Sequence, residues 1–153
     1  MRQLVWRRVD VPGMEIAHVE SLDRASGTQI GLGYELRWRL DGPRLQLEVV
    51  GGSQTTVELG EADFFDVFAS PFFNSLPVVR HGLLHGGEPR DYRMRFVRVP
   101  ELDVVLSEQH YEPLAERMVR YTSGSFTADI EFDADGFVVD YHGFLERVSV
   151  TTA

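Results

Sequence analysis

The sequence predicts a mainly β protein, folded as an antiparallel barrel, a half-open barrel or a sandwich. Three observations carry that prediction. Apolar and polar residues alternate with a period of two along most of the 153 residues, as in strands with one dry and one wet face. Turn signals recur at short, regular intervals, most clearly Asp41-Gly42-Pro43 and Asp133-Ala134-Asp135-Gly136. Only one long stretch, residues 62–80, abandons the alternation. With no linker, internal repeat or low-complexity segment, residues 1–153 read as a single domain.

Taken in order, Leu4-Val5-Trp6 is a short strand, ended by Val11-Pro12-Gly13. Residues 14–22 form a second, with Glu15, Ala17 and Val19 on one face and Met14, Ile16 and His18 on the other. Ser26-Gly27 reads as a turn, with a short piece over 29–32. Residues 34–40 give the clearest strand: Tyr34, Leu36, Trp38 and Leu40 point one way, Glu35, Arg37 and Arg39 the other. Asp41-Gly42 reverses it into Leu45, Leu47 and Val49, an antiparallel hairpin. Residues 55–59 are β-branched and strand-like.

Residues 62–80, ADFFDVFASPFFNSLPVVR, hold five of the ten phenylalanines and two prolines. They are too apolar for a surface loop and read as a lid or plug, with Ser70-Pro71 as its helix start. Phe72, Phe73 and Leu76 then face the sheet, with Asn74 and Arg80 at the edge. Beyond, strands are expected around Tyr92, Met94 and Phe96, over 104–111 and over 117–122, with one helical turn at 113–117. Phe126, Ala128, Ile130 and Phe132 alternate into the turn at 133–136, which returns through 137–141 as a second hairpin. Residues 144–150 make the last strand.

Composition excludes several function classes. There is no cysteine, so disulfides, thiol catalysis and thiolate metal sites are absent together. The formal charge of -9 argues against nucleic acid and against docking on anionic lipid. The N-terminus lacks a signal-peptide core and no span is long enough to cross a bilayer, so stable membrane insertion is not expected and the chain reads as cytoplasmic.

No catalytic constellation stands out. His81 and His85 have metal spacing only on a helix, and the surrounding glycines argue for a loop. No metal and no cofactor are therefore expected. Asp133 to Gly136 places its glycine too early for a calcium loop, and no nucleophile elbow is present. Asp63, Asp66, Glu15 and Glu108 are carboxylates with no visible partner. The aromatics say more: Tyr34, Trp38, Tyr92, Phe96, Phe126, Phe132 and Tyr141 all fall on inward faces. Plain core is one reading, and the lining of an apolar cavity with polar handles is the other.

From Asp63 to Arg80 the order of acid, apolar residues, Ser70-Pro71-Phe72, Asn74, Leu76-Pro77 and Arg80 resembles the glycolipid-binding family of bacterial proteins. The likeness continues through Pro100-Glu101-Leu102, Gln109-x-Tyr111, Arg120-Tyr121 and Asp135 to Tyr141. Val79 stands where that family tends to have the first of two arginines, and Phe73 where a small hydroxyl residue is usual. The resemblance implies a strongly curved antiparallel sheet, a half-barrel or rolled barrel with one or two short helices in its mouth, similar to bacterial lipid carriers.

The resulting expectation is a binding protein for a hydrophobic or amphiphilic small molecule, glycolipid-like or lipid-like, on the concave face. Tyr34, Trp38, Phe72 and Phe73 hold its apolar part. Asn74, Arg80, Gln109, Tyr111, Tyr121 and Tyr141 supply polar contacts, with Arg80 placed for an anionic or hydroxyl-rich head. Two alternatives stand beside it: a small enzyme using Glu15 or His110 on a hydrophobic substrate, and a homodimer or scaffold whose aromatic face is covered by another chain.

Overall fold

The first and last strands are neighbours in the middle of one sheet, and the rest of the chain unrolls from that pair in both directions. The computed structural model describes residues 1–152. Strand β1 (Arg2–Arg8) pairs antiparallel with β13 (Leu145–Thr152) on one side and with β2 (Met14–Ser21) on the other. A meander continues through β3 (Arg24–Gly31), β4 (Tyr34–Asp41), β5 (Arg44–Val49) and β6 (Gln54–Glu58), which is one edge. From β13 the sheet runs back through β12 (Val138–Tyr141), β11 (Phe126–Phe132), β10 (Met118–Ser123), β9 (Val104–Pro113) and β8 (Arg90–Val97). It ends at β7 (Phe64–Val67), the other edge.

The 13-stranded sheet is curved and open. Its two edges are consecutive in sequence, joined only by residues 59–63. Leu59 N–H donates to Pro43 O on one side and Asp63 N–H to Arg93 O on the other, each at 2.8 Å. The edges are thus a short loop apart without forming a ladder. A chain this size buries roughly two thirds of its unfolded surface, and curling lets a single sheet do so against itself.

Four expectations are corrected. The sheet is not wholly antiparallel: β7 pairs parallel with β8, Phe64 opposite Met94 through Val67 opposite Val97. A parallel pair needs a crossover, and helix α1 (Phe72–Arg80) supplies it. Second, Ser26-Gly27 is no turn; β3 runs straight through it, because a side chain at Gly27 would collide with the Trp38 indole on β4. Third, residues 113–117 form no helical turn; β9 extends to Pro113 and a bend with Glu116 and Arg117 at positive φ leads into β10. Fourth, Ser70 does not cap α1. Pro71 occupies the cap position and no side chain caps the helix.

The expected hairpins are present: Asp41 pairs with Arg44 at the β4–β5 turn, and Ile130 with Tyr141 across β11–β12. Among the described residues, no helix is long and apolar enough to cross a membrane. The pairings bring the connections 9–13, 32–33, 68–71, 98–103, 124–125 and 142–144 to the same end of the sheet. The site lies at that end.

Candidate binding site

Helix α1 lies inside the curve, with Phe72 to Val78 buried. Phe72 stacks on Trp38 with ring centroids 5.5 Å apart, and Phe73 tilts against the same indole at 4.8 Å. Leu76 and Val78 are buried with them. Burial of rings this size, about 1.5–3 kcal/mol each, is what holds a nine-residue helix that contains Pro77 and lacks a cap. On the β1–β6 side the concave face is therefore packed core.

A buried polar network fixes the segment before the helix. Glu15 is fully enclosed and accepts from three donors: Trp38 Nε1 at 2.7 Å, Ser70 Oγ at 2.6 Å and Gln29 Nε2 at 3.2 Å. Gln29 Nε2 also donates to Phe68 O at 2.7 Å, and the Tyr34 hydroxyl donates to Gln29 Oε1. Burial pushes the Glu15 carboxyl up to about 7 against the pull of the three donors. The network holds Ala69 between two anchored neighbours at φ 61°, a left-handed conformation that disfavours a residue with a Cβ by about 1–2 kcal/mol.

On the β9–β12 side the plug leaves an opening. A cleft of about 470 Å³ runs between the Phe68–Ala69–Ser70 segment and the strands, within the roughly 300–1,000 Å³ of small-molecule sites. Phe68, Phe126 and Phe144 form its rim. The Arg8 guanidinium lies over Phe144 at 4.4 Å and Phe68 at 5.3 Å and is held by both oxygens of Asp10 at 2.8 Å. Deeper in, Asp66, Asn74, Ser107, Tyr121, Ser123 and Tyr141 line the floor. Asp66 is 7% exposed and accepts from Gln109 Nε2 at 2.8 Å. Burial raises its carboxyl to about 7. The Tyr121 and Tyr141 phenols are likewise pushed up by burial, with Asp66 adding to it, and stay neutral.

The residues singled out from the sequence divide into three groups. Tyr121, Tyr141 and Asn74 line the cleft, with Gln109 and Tyr111 directly behind its floor, Asn74 Nδ2 donating to the Tyr111 hydroxyl at 3.2 Å. Trp38, Phe72 and Phe73 pack on one another, and Tyr34 lies across Gly31 above Gln29. Arg80 stands apart, exposed and paired with Asp23 at 2.5 Å beside a separate recess lined by Leu40, Leu59 and Leu76. Of the two residues named for catalysis, Glu15 is sealed in its network and His110 is on the surface against Asp91. His81 is engaged by the Tyr92 hydroxyl at 2.7 Å. In the sequence Asp66 is one of several carboxylates without a visible partner, and no local pattern marks Phe68, Phe144 or Arg8. A larger recess, about 670 Å³, lies across the outward residues of β4–β6, among them Arg37, Arg39, Gln46 and Gln54. It holds no buried polar group.

An open, curved β-sheet with one helix defines a class of fold. The crystal structure of a DUF1089 family protein from Pseudomonas aeruginosa is similar to it in fold: the TM-score is 0.74 at 22% identity, over 94% of this chain and 95% of that one. The sequence has no match among curated proteins. The family model described as "Putative glycolipid-binding" matches residues 35–147, and the chain belongs to that family.

Proposed function

We propose that this chain binds a hydrophobic or amphiphilic small molecule, glycolipid-like or lipid-like, in the cleft between the 68–70 segment and β9–β12. The observation that carries the reading is the composition of that cleft: three phenylalanines at the rim over a floor of buried hydroxyls and one carboxyl. Apolar contact at the rim contributes roughly 0.8 kcal/mol per buried methylene, and the floor supplies direction. Family membership supports the same class of ligand.

On this reading the curved sheet acts as a half-barrel, its interior divided between plug and ligand, with the whole chain working as one domain in the cytoplasm. Binding rests on shape and burial, without chemistry. Native mass spectrometry on protein purified from its own host is expected to find a co-purifying amphiphile, displaced by fatty alcohols. No adduct, and no binding across a lipid panel, would sink the idea.

A second reading has one observation of its own. Asp66 is a buried carboxyl with a raised proton affinity facing a cleft, the environment of a general acid or base. A small enzyme acting on a hydrophobic substrate is then the alternative. It requires that the bound molecule be turned over, and recovery of chemically intact ligand after prolonged incubation excludes it.

A further inference from the structure

The rim of the cleft is aromatic, but its floor is polar and uncharged in its hydroxyls; Ser123 Oγ donates to Glu108 O at 3.1 Å, while other floor groups lack partners. The Tyr141 hydroxyl makes no hydrogen bond within the protein among the described residues, yet it is not sealed off. Asp66 takes one side-chain donor, Gln109 Nε2 on Oδ2, leaving its other oxygen without a side-chain partner. Directly behind it the Gln109 side-chain oxygen, Oε1, is buried with no donor at all, a costly state that native proteins rarely tolerate without a reason. Ser107 and Ser123 face each other at 3.4 Å in the same floor.

The charges around the floor exclude an anionic guest. The basic side chains lining the cleft are Arg8, held by both Asp10 oxygens, and His142, whose Nε2 faces Asp140 at 3.0 Å. Neither is free to neutralise a buried anion. An ionised Asp66 repels one, and moving a charged group into such a site without a partner is strongly unfavourable. Hydroxyls suit the floor, since each donates once and accepts twice. A carboxyl and phenols can serve both roles, and the Tyr121 and Tyr141 rings lie side by side with centroids 6.2 Å apart.

We propose that the floor of the cleft is a subsite for an uncharged polyhydroxylated group of sugar type, held by Asp66, Tyr121 and Tyr141, with its alkyl part pointing out to Phe68, Phe126 and Phe144. This rests on the cleft being the binding site. It leaves Arg80 outside the recognition of the head.

Three amphiphiles with one chain length separate the possibilities: octyl β-glucoside, 1-octanol and octyl sulfate, each titrated as monomers by calorimetry. The glucoside is expected to bind about tenfold tighter than octanol, as one or two added hydrogen bonds imply, and the sulfate weakest. Asp66→Asn and Tyr141→Phe should each remove most of the glucoside's advantage over octanol, with both ligands measured on the same variant. Tyr141→Phe deletes a hydroxyl that no protein group uses, so it keeps the test open even where Asp66→Asn fails to fold. Octyl sulfate binding as tightly as the glucoside, or both variants keeping the preference, overturns the sugar subsite alone. If none of the three binds, the cleft reading falls and the subsite with it.

Discussion

Ser70 donates its hydroxyl to Glu15 Oε2 at 2.6 Å, a contact between residues 55 positions apart that ties the segment before the helix to the second strand. The same serine lines the cleft, so one wall of the opening hangs on a carboxylate in the core. Removing the hydroxyl leaves a buried acceptor short of a donor, at a cost of about 1–3 kcal/mol. Ser70→Ala should lower the unfolding free energy by that much, read as a lower urea midpoint at unchanged m. It should also raise amide exchange at Phe68 and Ala69 more than in β4, because the tether is local to that loop. Uniform destabilisation with no local increase in exchange would mean that the hydroxyl only adds to the core.

Two buried acids give the protein an unusual pH profile. Glu15 and Asp66 are both raised to about 7, chiefly by burial, from ordinary values of 4.5 and 3.8. Between those ordinary values and 7 the folded chain binds more protons than the unfolded one, so stability is full at the acid end and is lost as pH rises through 7. The carboxyls lowered by arginine partners, Asp10 and Asp129, work the other way but titrate below about 4 and are constant in this window. Urea unfolding should give higher stability at pH 5.5 than at pH 8.5, by on the order of a few kcal/mol. Asp66→Asn should flatten part of the slope. Stability rising with pH over this range would contradict the burial of these groups.

Gly27 is required by a ring. A Cβ there would fall well inside contact distance of the Trp38 indole, whose nitrogen is committed to Glu15. Either the indole turns and drops that hydrogen bond or the strands part. Overpacking of this kind costs about 1–3 kcal/mol, so Gly27→Ala should lower the melting temperature and shift Trp38 fluorescence. Gly42→Ala is the control for a glycine with no neighbour against its Cβ, its penalty arising only from positive φ.

That glycine also marks where the sequence stops being legible. The hairpins β4–β5 and β11–β12 are readable because alternation and an Asp-Gly or Asp-x-Asp-Gly turn lie within a dozen residues of each other. Gly27 looks like a turn residue because its reason, Trp38, lies across a strand. The helix plug is visible in the greasy run at 62–80, whereas the parallel pairing of β7 depends on where the crossover returns. The floor is visible in part: Tyr121, Tyr141 and Asn74 were marked out through their family pattern. Asp66 looked like one surface acid among many until Gln109, 43 positions on, came to face it. The rim brings together Arg8, Phe68 and Phe144, whose proximity no local pattern records.

Arg80 offers a test of that division. Its pairing with Asp23 is exposed on both sides, and such surface pairs contribute about 0–1 kcal/mol. The recess beside it is separate from the cleft. Arg80→Ala should change stability by less than about 1 kcal/mol and leave amphiphile affinity as it was. A marked loss of binding, above all of an anionic amphiphile, would return Arg80 to the site.

The sharpest contrast is between two phenylalanines. Phe72 is fully buried, stacked on Trp38 in the plug, whereas Phe126 is half exposed at the rim, its edge toward Tyr121 at a centroid distance of 6.0 Å. Truncating Phe72 removes a ring from a packed core and should cost about 3–5 kcal/mol. Its effect on ligand affinity should be small wherever the protein remains folded, since the proposed site lies in the cleft and not on the plug side. Truncating Phe126 removes little burial and should shift stability by less than about 1 kcal/mol. It should weaken binding of an alkyl amphiphile several-fold, as loss of contact with two or three methylenes implies. Paired measurements of unfolding and of octanol affinity on Phe72→Ala and Phe126→Ala decide the matter. If Phe72→Ala abolishes binding at a temperature where it is still folded while Phe126→Ala does nothing, the ligand occupies the plug side and the helix is the lid that admits it.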